Sequence, residues 1–119
     1  MEGFTIKKFL VLPLMLMLIT ILSFLPQYVT AAASYTFSTI DFPNATFTFT
    51  NGINDHGKIV GDYQDTAGKT HGYLLSSGTF STIDCPGAVS TMATGVNNNG
   101  QILGECYDAA GKVHGFLAK

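Results

Sequence analysis

The chain contains no Arg and no Trp, only two Cys and four Pro, and its charged residues make up just 12% of 119 positions. Beyond residue 33 the cations are Lys58, Lys69, Lys112 and Lys119, against seven acids at 41, 55, 62, 65, 84, 105 and 108. Binding to nucleic-acid phosphates draws on clustered cations, so this chain has no electrostatic footprint for a nucleic-acid partner. No nucleophile elbow and no His-Glu-x-x-His spacing is present, which leaves hydrolase chemistry without its usual carriers. Two cysteines allow one disulfide at most. What the chain has instead is Thr, Ser, Gly and Asn in quantity, the composition of an exported β-rich surface.

Lys7 and Lys8 precede an apolar run from Phe9 to Leu25, followed by Pro26 and then "VTAAAS". A basic start, an apolar middle and small residues ahead of a cleavage point are the layout of a secretory signal peptide, here residues 1–33. Cleavage after Ala33 or Ala31 fits the small-x-small rule. The run is shorter than the roughly 20 residues of a membrane span, so a membrane enters only through an uncleaved leader. Residues 34–119 remain as one small domain, a size at which disulfides, metals or association often assist a modest core.

The stretch "GKTHGYLL" at 68–75 returns as "GKVHGFLA" at 111–118. Sliding the chain against itself by 43 residues aligns Gly52 with Gly95 and holds register without a gap to the C-terminus, giving units 36–76 and 79–119. The identical pairs include Phe37/Phe80, Ile40/Ile83, Asp41/Asp84, Asn54/Asn97, Gly57/Gly100, Gly61/Gly104, Asp65/Asp108, Gly68/Gly111, His71/His114 and Gly72/Gly115. A period of this length is close to that of a four-stranded propeller blade, about 40 to 45 residues.

Four strands are expected in each unit. In the first copy "TFTFTNGI" alternates before a turn at "NDHG", then come "KIVGDY", a turn at "DTAG", "THGYLL", a turn at "SSG" and "TFSTID". Each turn ends on Gly, which accepts the positive φ of a type I turn closed by a bulge. Asn54, Asp65, Asn97 and Asp108 stand where a short polar side chain bonds the backbone of its own turn. Ile59 with Val60, and Ile102 with Leu103, place apolar residues on both faces of the second strand, which suits stacked sheets. The chain opens on "YTFSTID", a fourth-strand segment, and ends on "HGFLAK", a third strand. Closure within one chain would give an eight-stranded barrel or sandwich; closure between chains would give a homo-oligomeric ring.

The segments "GINDHGKIVGDYQDTAGKTHGYL" and "GVNNNGQILGECYDAAGKVHGFL", each associated with "FSTIDFPNA" or "FSTIDCPGA", resemble the extracellular HAF repeats. The resemblance covers essentially all of residues 34–119. It implies a β-rich, propeller-like arrangement, export and a bacterial source, with no catalytic residue to carry over.

Cys85 and Cys106 stand opposite Phe42 and Tyr63 in the repeat, so both positions change from aromatic to Cys together. Paired replacement points to sites that touch, and the two are expected to form a disulfide in an exported chain. His71 and His114 occupy one slot of two copies, which favours a backbone-serving role over catalysis. Asp55, Asp62 and Asp65 with Asn54 match no calcium loop spacing, and turn chemistry explains them more simply. No catalytic, cofactor or metal residue is assigned. The aromatics Phe37, Phe47, Phe49, Tyr63, Tyr73, Phe80 and Phe116 are expected in the core, whereas Tyr107, whose repeat partner is Gln64, is the candidate surface contact. The sequence thus describes an all-β, exported, non-catalytic binding or structural module for a protein or glycan ligand. The alternatives are an exported hydrolase using His56, Glu105 and Tyr107 between the units, and an inactive relic of a longer array.

Overall fold

The computed structural model describes residues 31–119, so the expected leader lies almost wholly outside the described residues. Within them the chain forms seven strands and no helix: β1 (Phe47–Ile53), β2 (Ile59–Gln64), β3 (Thr70–Ser76), β4 (Thr79–Ile83), β5 (Ser90–Val96), β6 (Ile102–Tyr107) and β7 (Val113–Ala118). β1–β4 form one antiparallel sheet in chain order, and β5–β7 form a second. Neither closes into a barrel, which removes that alternative. The eighth expected strand, at residues 36–41, does not form: among the described residues no strand lies beside it, and the stretch belongs to neither sheet.

The turns are set by side chains that bond back to the main chain. Asn54 Oδ1 accepts from the amides of His56 (3.0 Å) and Lys58 (2.9 Å), while Asn54 N donates to the Lys58 carbonyl at 3.0 Å. Asn97 accepts from the Gln101 amide at 2.9 Å in the corresponding turn. Gly57 and Gly100 close these two turns at φ 73° and 79°, a conformation in which a Cβ would clash with its own backbone. The amide of each donates back across its turn, Gly57 to the Asn54 carbonyl at 3.1 Å and Gly100 to the Asn97 carbonyl at 3.0 Å. Asp65 and Asp108 each accept two amide protons, from Ala67 and Lys69 and from Ala110 and Lys112, all at 2.9 Å.

Displaced by 43 residues, the β1–β2 and β2–β3 registers become those of β5–β6 and β6–β7, including a bulge after Thr50 and after Ala93. Beside each bulge a glycine on the next strand lets the backbones close up: a Cβ on Gly61 would run into the Phe49 carbonyl, and one on Gly104 into that of Met92.

The core lies between the sheets. Val60, Ala93 and Ile102 are buried, with Leu74, Ile83, Val96, Phe116 and Ala118 packed around them. Burial of such a side chain contributes about 1.5 to 3 kcal/mol, so a core this small rests on few residues. Asn51 on β1 links the two sheets, donating from Nδ2 to Asp62 Oδ1 at 2.8 Å and to the Ala93 carbonyl at 2.9 Å. The turns join as well: Asn54 Nδ2 donates to the Asn97 carbonyl at 3.0 Å, and Asn98 Nδ2 to Asp55 Oδ2 at 2.7 Å.

Two burial expectations need correction. Both faces of β2 and β6 were to be under cover; β2 is, with Val60 to Tyr63 buried and Ile59 half-buried, whereas in β6 Ile102 is buried but Leu103 is exposed. Among the described residues no element packs on the outer face of the second sheet to cover it. The aromatics divide similarly: Tyr63 and Tyr73 are buried and Phe80 and Phe116 half-buried, but Phe37, Phe47 and Phe49 are exposed. Phe37 lies on the unpaired stretch. Phe47 and Phe49 stand two apart on the edge strand β1, so they share a face and pack on each other, centroids 5.0 Å apart.

Candidate functional site

Three groupings concentrate the chemistry of the fold. The first joins the end of β4 to β3. His71 Nε2 lies 3.0 Å from Asp65 Oδ2, and its Nδ1 lies 2.9 Å from Asp84 Oδ2. Its ring stacks on Tyr63, centroids 5.1 Å apart. An imidazole donates from both nitrogens only when protonated, so a carboxylate on each side favours the cation. Burial pulls the His71 pKa down, but the bonds to Asp65 and Asp84 outweigh it and leave the value above the ordinary 6.5. The bond from His71, followed by that from the Lys69 amide, holds the Asp65 carboxyl below its ordinary 3.8.

The second grouping is the counterpart in the second sheet. His114 Nε2 lies 3.0 Å from Asp108 Oδ2, and this bond leads the causes that lower the Asp108 pKa. No carboxylate among the described residues faces Nδ1 of His114. The residue that corresponds to Asp84 is Asp41, which is exposed on the unpaired stretch before β1.

The third is the disulfide between Cys85 and Cys106, whose Cα atoms are 6.3 Å apart. The equivalent sites of the first sheet, Phe42 and Tyr63, stack face to face with centroids 3.6 Å apart. Both pairs tie the turn before a sheet to its second strand, one covalently and one by aromatic contact. The turns themselves match: the Phe42 amide donates to Thr48 Oγ1 at 2.9 Å and the Cys85 amide to Thr91 Oγ1 at 3.1 Å. A disulfide is consistent with an extracellular setting.

Tyr107 is half-buried and lines a recess of about 200 Å³ with Cys85, Pro86, Asp108 and His114. Neither His56 nor Glu105 lines that recess. His56 is exposed in the β1–β2 turn, and Glu105 lies within β6 opposite Met92 and Gly115. The remaining repeat positions form turns or strand pairs and line no shared site: Gly57, Gly68, Gly100 and Gly111 close turns, and Gly72 and Gly115 pair with Asp62 and Glu105. Among the described residues no group of three or more His, Cys, Asp or Glu is placed to hold a metal ion.

Sequence reasoning assigned no role to Asp84, Asp41 or Asn51. The repeat identity of Asp41 with Asp84 was the available signal for the first two. Asn51 carried none, since its counterpart is Thr94 and it is the residue left out of register at the β1 bulge. No family model matches the chain, and neither a curated protein nor a solved structure matches it.

Proposed function

We propose that this chain is an exported, non-catalytic repeat protein of the HAF kind, its two sheets serving as propeller-like blades of a binding or structural module. One observation carries the reading. The ordered polar side chains recur 43 residues apart and are engaged by the scaffold itself: Asn54 and Asn97 on their turns, Asp65 and Asp108 on theirs, and His71 and His114 on those aspartates. A catalytic group is needed once, at a place where substrate can reach it. Repeated groups bound to their own backbone serve the fold. The disulfide supports export, and the leader-like residues 1–33 agree with it.

The hydrolase alternative needs His56, Glu105 and Tyr107 at one site, and their separate placements give it no geometric support. The ligand class is protein or glycan, with the Tyr107 recess as the surface to probe. The test is to recover the full chain as a bacterial host exports it and to assay it against chromogenic esters, glycosides and peptides. Turnover no higher than buffer is expected. Turnover that disappears on His56→Ala or Glu105→Gln would establish the hydrolase instead.

A further inference from the structure

Residues 36–41 and 79–84 are the same hexapeptide, TFSTID. In the second position it is β4, paired along β3 from Ser76↔Thr79 to Gly72↔Ile83, and it ends on the Asp84 that holds His71. In the first position it is unpaired among the described residues, and Phe37 is 92% exposed. Its stem is nevertheless set: Phe42 is stacked on Tyr63 and bonded to Thr48, as Cys85 is tied to Cys106 and Thr91. The segment therefore leaves a fixed turn without a neighbouring strand among the described residues.

The second sheet shows the converse. The outer edge of β7 has no strand beside it among the described residues, and its His114 lacks the second carboxylate. Glycine placement agrees. A Cβ on Gly72 would meet the Ile83 carbonyl at 3.0 Å and the Ala93 amide nitrogen at 3.3 Å, so close approach by β4 and β5 demands glycine there. Its counterpart Gly115 has no positive φ and only one atom near a Cβ, at 4.0 Å. A Cβ on Gly52 would likewise meet Gly95 Cα at 3.3 Å, whereas one on Gly95 would meet nothing within 4 Å. Among the described residues of the monomer nothing requires glycine at 95 or 115.

The outer faces repeat this relation. Val60 is fully buried between the sheets, but its counterpart Leu103 is 58% exposed; Leu74 packs in the core, but Leu117 is 51% exposed. Val96 packs there too, while its counterpart Ile53 is 67% exposed. Leu103 and Leu117 line an open recess of about 410 Å³ on the second sheet. Ile40 and Ile53 line one of about 320 Å³ on the first. The two open surfaces are thus the two halves of the interface already built inside the chain.

We infer that the occupant of each surface is a second copy of this chain, docked head to tail. Phe37–Ile40 of one copy adds to β7 of the next as its fourth strand, with the β3–β4 register: Phe37 opposite Ala118, Ser38 opposite Leu117, Thr39 opposite Phe116 and Ile40 opposite Gly115. Asp41 then reaches Nδ1 of His114, and β1 of the added copy covers Leu103 and Leu117. Strand addition supplies the main-chain bonds and the apolar faces supply burial. The contact is heterologous, so it repeats, and it closes a ring where the rotation per copy allows. The inference rests on the repeat relation between the sheets and not on the absence of catalysis, so an active enzyme would leave it standing.

A mixing experiment on the full chain tests it. Phe37→Asp spoils the added strand and leaves β7 intact; Leu117→Glu spoils the receiving face and leaves the strand intact. Both side chains are exposed in the monomer, so each variant keeps its β-sheet circular dichroism. By light scattering each variant alone is expected at the monomer mass, and an equimolar mixture at twice that mass, because one good strand meets one good edge. Thr39→Pro and Leu103→Glu form a second pair with the same expectation, should either first variant fail to fold. Variants that stay multimeric alone, or a folded pair whose mixture stays monomeric, would overturn the proposal.

Discussion

His71 is the residue whose ionisation is most tightly written into the fold. Its two carboxylates stabilise the protonated ring, and Lys69 opposes them weakly. With a folded pKa above 6.5, the contribution of His71 to stability is complete below that value and is lost as pH rises through the raised one. Asp65 acts with the opposite sense: its contribution is present above 3.8 and is lost as pH falls through its depressed value. His71 and Asp65 therefore support the fold most between those limits. Thermal unfolding followed from pH about 6 to about 8 is expected to show a larger fall in Tm for the native chain than for Asp84→Asn, which lacks the second carboxylate. Equal slopes would mean that Asp84 does not hold the imidazolium.

At the scale of elements, the turn before each sheet is tied to the sheet's second strand, by a disulfide in one and by stacked rings in the other. Closing a loop of 21 residues limits the unfolded chain by about 3 kcal/mol in the chain-entropy account. Replacing both cysteines, Cys85→Ser with Cys106→Ser, is expected to lower unfolding free energy by roughly that amount. The pair Cys85→Phe with Cys106→Tyr should recover about 1 kcal/mol of it, the worth of an aromatic contact. Chemical denaturation measures both, and an aromatic pair less stable than the serine pair would contradict the equivalence. This equivalence was legible in the sequence, because both positions change together within one repeat. The turns were legible for a similar reason, since Asn54 and Asp65 act on their own neighbours in the chain. The Asn51 bridge was not: Asn51 is the residue left out of register at the β1 bulge, and no local pattern announces a bulge. Nor was the exposure of Leu103, Phe47 and Phe49, which depends on what lies beyond the sheet and not on the alternation within it.

For the whole molecule, the all-β class was readable from the sequence, whereas the number of strands and the choice between a barrel and open sheets were not, because both architectures satisfy one strand pattern. Packing decides it: the sheets meet face to face across Val60, Ala93 and Ile102 and leave β7 without a neighbour among the described residues. On the head-to-tail proposal, the exposed Leu103 and Leu117 face of one copy meets the exposed Ile53 face of the next. Were the sheets propeller blades as proposed, the usual range of about 4 to 8 blades would be reached by dimers, trimers or tetramers joined head to tail. The molar mass of the exported full chain, followed by light scattering over a dilution series, tests this most directly. A closed assembly of two to four copies that holds its mass on dilution is the expected result. A folded monomer at every concentration would contradict the account.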